Sequence, residues 1–83
     1  MPEKTRYELR LGDRRVGHAA YFRRDGTIVF THTEIDPACE GRGFGSRLVA
    51  AALDDARAQG LRIVPVCSFV AAYVRRHPEY ADG

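Results

Sequence analysis

Tryptophan is absent from this sequence, methionine occurs once and cysteine twice, and no long apolar run is present. The missing run excludes a membrane-spanning helix, which needs ~18 or more consecutive apolar residues. No signal-peptide core and no lipidation motif are visible, so a cytoplasmic protein with reduced thiols is expected, without a membrane partner. Cys39 and Cys67 lack metal-site spacing and the three histidines are scattered, which argues against a zinc centre. A net charge of +2 is too small for a nucleic-acid partner, because phosphate-binding domains concentrate many more cations. The paired arginines at 14–15, 23–24 and 75–76 are interleaved with acids and read as solvated surface. No repeat, linker or low-complexity tract divides the 83 residues. One domain over 1–83 with a modest core is expected.

What is present is a sharp change of period. Apolar residues alternate with polar ones from Tyr7 to Leu11 and again from Arg15 to Arg23, and Thr27 to Ile35 is rich in β-branched side chains. Asp25-Gly26 between the last two runs is a strong hairpin signal. After Asp36-Pro37, Phe44, Leu48, Val49, Ala52, Leu53 and Ala56 recur at helical spacing, with Gly60 placed to stop a helix about 25 Å long. "RIVPVC" (62–67) fits a buried strand parallel to 27–35, joined by a right-handed crossover. Pro65 cannot donate to a ladder, so that strand must be an edge or must diverge there. "SFVAAYVRRH" (68–77) reads as a second helix, stopped by Pro78. The expected fold class is α+β: an antiparallel meander, a βαβ unit and a C-terminal helix on a mixed sheet.

Three glycines fall within "EGRGFG" (40–45), where the strand hands over to the helix. The first turn of a helix leaves N–H groups unpartnered and carries partial positive charge. Glycines there admit an anion to the backbone, and Arg42 and Arg47 add charge, which is the construction of a pyrophosphate cradle. A plain turn remains the alternative on this pattern alone. The dinucleotide fingerprint would need a glycine at 48, which is Leu48, and the Walker Gly-Lys-Ser/Thr ending is absent.

"THTEID" (31–36) followed by "EGRGFGSRLVAAAL" (40–53) resembles the acetyl-CoA-binding motif of the GCN5-related N-acetyltransferase superfamily. With "ARAQGLRIVPVCSFVAAYVRRHPEY" added, residues 7–80 are similar to the small single-domain family that includes human N-acetyltransferase domain-containing protein 1. Glu40 stands where the superfamily usually has Gln or Arg, a departure that the small family shares. The resemblance implies a minimal acetyltransferase fold and acetyl-CoA as cofactor. It implies coenzyme A contacts from Ile35, Gly41, Arg42, Gly43, Phe44, Gly45, Ser46 and Arg47. It also implies a His and a Cys near the thioester. A short turn joins the first two strands where larger members have two helices, and the sequence ends before two further strands. An open acceptor side is therefore expected, suited to a primary amine on a protein or peptide.

Acetyl transfer needs a neutral amine, a polarised carbonyl and a protonated leaving thiolate. His32 and Glu34 alternate onto one strand face, so Glu34 is placed to orient His32 as a base or as an activator of Cys67. Cys67, at the end of the parallel strand, is a candidate acetyl acceptor or a small buried hydrophobe. Tyr73 is the nearest candidate for the superfamily's thiolate-protonating tyrosine, with core packing as its alternative. Three readings stay open: acetyltransferase, by direct attack or through Cys67; coenzyme A-binding module with little catalysis; and interaction module, monomeric or dimerising through an open sheet edge.

Overall fold

The computed structural model describes residues 6–80. Three antiparallel strands come first, β1 (Arg6–Leu11), β2 (Arg14–Arg24) and β3 (Thr27–Ile35). A single 3₁₀ turn at Pro37–Cys39 leads to helix α1 (Phe44–Ala58), strand β4 (Arg62–Pro65), helix α2 (Ser68–Arg76) and a last 3₁₀ turn at Pro78–Tyr80. The sheet order is β1-β2-β3-β4, with β4 parallel to β3. The α+β meander and βαβ unit expected from the sequence are present.

The β2–β3 hairpin closes through Asp25 and Gly26, both at positive φ (51° and 78°), the pair of conformations that matches strand twist in a two-residue turn. α1 buries Leu48, Val49, Ala52, Leu53 and Ala56, the stripe the spacing predicts. It stops where Gly60 N–H bonds Arg57 O and Leu61 N–H bonds Ala56 O, a paired C-terminal closure. Ile28, Phe30, Leu53 and Val70 are fully buried in one cluster with Ile63, Tyr73 and Tyr80. Each such side chain contributes about 1.5–3 kcal/mol by leaving water. Tyr7 Oη donates to Asp55 at 2.7 Å and Tyr80 Oη to Asp54 at 2.5 Å, tying the meander and the C-terminal turn to α1.

Two irregularities set the faces. Ala20 pairs with His32 but Tyr21 pairs with Phe30, so Thr31 is an extra residue in β3. Such a bulge shifts the two-residue alternation by one. Ile28 and Phe30 face the helices, and beyond the bulge Thr33 and Ile35 take that side. His32 and Glu34 turn to the opposite face, beside Ala20 and His18. A second bulge leaves Val16 extra between Arg15, which pairs with Arg10, and Gly17, which pairs with Leu9. The molecule measures 36 × 35 × 20 Å, its thin dimension being one sheet plus one helix layer. The outer sheet face carries Glu8, bridged to Arg10 and Arg15 at 3.3 Å each.

Pro65 shows both consequences expected of it. β4 is an edge strand, and its neighbour β3 pairs with it only from Thr27 to Phe30. Arg62 N–H points at Gly26 O, so alternation places Pro65 with its missing donor on the free side. The strand ends at Pro65, two residues earlier than the expected 62–67. Val66 N–H folds back to Val64 O at 3.2 Å, and Cys67 becomes the residue preceding α2 rather than a strand end. Among the described residues no helix is long and apolar enough to cross a membrane.

Candidate functional site

Beyond Phe30 and Pro65 the two parallel strands part. Cys67 N–H still reaches Phe30 O at 2.9 Å, but Thr31 to Ile35 run on with no strand beside them on that edge among the described residues. β3 delivers the chain to α1 and β4 delivers it to α2, so both helix N-termini flank the same opening. This is the carboxyl-end crevice where parallel sheets bind ligands.

Asp36 shapes the approach to the glycine loop. Its backbone N–H bonds Val16 O at 2.7 Å, and its carboxylate accepts from Ala38 N–H at 2.9 Å and Arg14 at 3.1 Å. These two donors hold the Asp36 carboxyl below its ordinary range. Cys39 is buried behind the turn. Gly41 (φ 84°) and Gly43 (φ 77°) then adopt the left-handed region, which costs a residue with a Cβ about 1–2 kcal/mol. A Cβ at either position would meet nothing within 4 Å, so the space over this backbone is open to a ligand. The first helical bond is Arg47 N–H to Gly43 O, and Gly43 makes no side-chain cap. The N–H groups of Phe44, Gly45 and Ser46 therefore precede the ladder. Arg42, Ser46 and Arg47 are exposed around them, as is Glu40. Gly45 is glycine for another reason: a Cβ there would come 2.7 Å from Phe69 Cζ.

At the other end of the opening the Cys67 thiol donates to Thr33 Oγ1 at 3.5 Å. Partial burial pushes this thiol up, but the Thr33 hydroxyl and the N–H groups of Val70, Phe69 and Thr33 outweigh it and leave the group below its ordinary value. The Phe69 and Val70 groups make no complete capping bond to the sulfur; they act as the positive end of α2.

The expected approach of His32 to Cys67 does not occur. The Thr31 bulge sends His32 to the outer face, where its ring lies 6.1 Å from that of His18, and Thr33 takes the place beside the sulfur. Glu34 faces His18 at 3.9 Å instead of orienting His32. His18 is held below its ordinary value by burial and by Arg6, with Glu34 opposing. Tyr73 is buried in the core, stacked on His77 at 4.2 Å, about 9 Å along α2 from Cys67 at ~1.5 Å per residue. Ile35 is half-buried against the core. A cavity of about 220 Å³ lies between the ends of β2 and β3, lined by Arg15, His18, Glu34 and Ile35 among others. Neither the glycine loop nor Cys67 lines it, and the two helix N-termini point at the β3–β4 opening. Thr33 and Phe69 are the site residues that sequence reasoning missed; only "THT" and "CSFV" contained them, without a pattern to single them out.

Residues 6–83 match the family model described as GCN5-related N-acetyl-transferase. No curated protein matches the chain in sequence. Its fold is similar to that of a GCN5-like protein from Staphylococcus aureus, with TM-score 0.72 and 23% identity over 99% of this chain and 82% of that one. It is also similar to the ribosomal-protein-S18-alanine N-acetyltransferase from Escherichia coli, with TM-score 0.71 and 15% identity over 94% of this chain and 53% of that one. A GNAT-family protein from Desulfovibrio desulfuricans gives TM-score 0.61 and 25% identity over 89% and 51%. The chain thus spans about half the length of the last two. On the match to nearly its whole length, this chain belongs to the GCN5-related N-acetyltransferase family.

Proposed function

We propose that this protein is an acetyl-CoA-dependent N-acetyltransferase of the small single-domain kind, moving acetyl to a primary amine on a protein or peptide. One observation carries the reading. The unpaired edge of β3 joins a glycine-rich helix N-terminus at one end to a thiol at a second helix N-terminus at the other. The residues fit the cofactor because the backbone of Gly41 and Gly43 faces open space and Arg42 and Arg47 stand beside it.

Phosphate oxygens would be held by the N–H groups of Phe44, Gly45 and Ser46 and neutralised by the two arginines. Glu40 supplies no attraction, so the backbone does most of this work. The free edge at Thr33 and Ile35 offers peptide groups to an extended amide chain, as a sheet edge does to a peptide. When bound, acetyl-CoA supplies an activated thioester. An amine held against it would exchange the carbon–sulfur bond for a carbon–nitrogen bond, with the proton lost by nitrogen passing to the released thiolate, so this chain's part would be to position the two and stabilise charge. The first turn of α2 favours the negative charge that develops on oxygen and sulfur. Direct attack is the favoured route, because no base stands against Cys67 to make it a relay: its sulfur partner is a hydroxyl.

The placement of His32 on the outer face and Tyr73 in the core favours a second reading, a coenzyme A-binding module with little turnover. Thiol release from acetyl-CoA, followed with peptides bearing free N-termini or lysines and with polyamines, separates the two. Amine-dependent release supports the enzyme; tight binding with no release by any amine supports the module. Intact mass after incubation with acetyl-CoA, with Cys67→Ser as control, reports whether acetyl resides on the thiol. A mass increment confined to the wild-type chain would contradict direct attack.

A further inference from the structure

Among the described residues four large apolar side chains are well exposed, Leu11, Phe22, Val66 and Phe69. Two of these flank Cys67 in sequence. Phe69 is 40% exposed, yet it is not a loose surface side chain. Its ring lies across the first turn of α1, where an added Cβ on Gly45 would come 2.7 Å from Cζ and 3.3 and 3.5 Å from the two Cε atoms. One side of the ring thus rests in the hollow that Gly45 leaves, and the remainder faces water. The backbone of the same residue belongs to the first turn of α2, and its N–H is among the groups that favour the Cys67 thiolate.

Phe69 therefore spans the distance between the glycine loop and the thiol. Any ligand that reaches from the N–H groups of Phe44 to Ser46 to the sulfur of Cys67 must pass this ring. Resting on the proposed function, we propose that Phe69 is the wall against which the pantetheine arm of acyl-CoA packs, and that it sets affinity for the arm separately from affinity for the nucleotide. An exposed aromatic surface held in place loses little freedom on contact, so covering it with an alkyl-amide chain is favourable. The nucleotide is held at the other end by backbone groups and the arginines, which Phe69 does not replace.

Two probes separate these ends. Acetyl-CoA carries both nucleotide and arm, while 3′-phospho-ADP carries the nucleotide and pyrophosphate alone. Titration calorimetry on wild type, Phe69→Ala and Phe69→Leu should show acetyl-CoA affinity falling about tenfold in the alanine variant and less in the leucine variant. Affinity for 3′-phospho-ADP should stay within about twofold of wild type, which also shows that the variants are folded. Because the chain has no tryptophan, Phe69→Trp gives a single reporter whose emission should shift with acetyl-CoA and not with 3′-phospho-ADP. Equal loss of both probes would mean that the ring only supports the loop and would overturn the proposal. Unchanged acetyl-CoA affinity in Phe69→Ala would overturn it as well, leaving the proposed function standing. Wild type that binds neither probe would remove both.

Discussion

Replacing Gly43 by Ala tests the glycine loop at its most constrained point. Gly43 precedes α1 at φ 77° and ψ 9°, a conformation in which a Cβ crowds the following carbonyl at a cost of about 1–2 kcal/mol. Alanine also stiffens the unfolded chain, which returns about 0.4–1 kcal/mol. No neighbour lies within 4 Å of the new methyl, so no packing clash adds to the total. The expected net loss is about 1 kcal/mol. For a domain of this size it lowers the melting temperature by about 4–8 °C. Gly43→Asn should lose less, since asparagine tolerates this region. Urea unfolding followed by circular dichroism measures the loss. The methyl, harmless to the apo fold, projects into the space assigned to the pyrophosphate, so acetyl-CoA affinity should fall more than tenfold while the fold persists. An alanine variant as stable as wild type would refute the strain argument. One that binds acetyl-CoA normally would refute the placement of the pyrophosphate.

Thr33→Val removes the hydroxyl beside Cys67 and should raise the thiol's pKa, slowing alkylation of Cys67 by iodoacetamide near pH 7.5; intact mass with peptide mapping checks this, and an unchanged rate contradicts it. The Asp54 hydrogen bond, with burial second, pushes the Tyr80 hydroxyl up to about 12 from its ordinary value of 10.0. The folded state thus holds that proton more tightly than the unfolded one. Its stabilisation is complete below pH 10 and lost as pH rises toward 12. Urea midpoints from pH 9 to 11.5 should fall less steeply in Tyr80→Phe than in wild type. Leu53, fully buried in the central cluster, should cost about 2–5 kcal/mol when cut to alanine. That is a large share of the ~5–15 kcal/mol expected of a domain, so a melting temperature lowered by about 8 °C or more is the expected calorimetric result.

The fold was legible because its signals are local. Asp25-Gly26 fixes the hairpin, the α1 stripe has helical period, and Gly60 ends it as its chemistry requires. Pro65 requires either an edge position or a divergence, and β4 shows both. The site was legible only in part. "EGRGFG" is identifiable as a helix-start loop, but the three glycines differ in cause. Gly41 and Gly43 answer a backbone requirement, whereas Gly45 answers a ring from α2. No local rule foretells that contact. The pairing of His32 with Cys67 failed on one residue, because strict alternation through β3 ignores the extra Thr31. A bulge depends on how β2 closes against β3, which lies outside any short window of sequence. Tyr73 has the helical spacing of a core residue, and the core took it.

Amide chemical-shift mapping with acetyl-CoA on the ¹⁵N-labelled protein tests most directly whether the β3–β4 opening is the cofactor site. Shifts are expected in three separated segments, Gly41 to Arg47, Thr33 to Ile35 and Cys67 to Val70, which meet only at that opening. Glu8 and Arg10, on β1 at the far side of the sheet, should stay still. Shifts confined to the cavity around Arg15 and His18, or none at millimolar acetyl-CoA, would contradict the account.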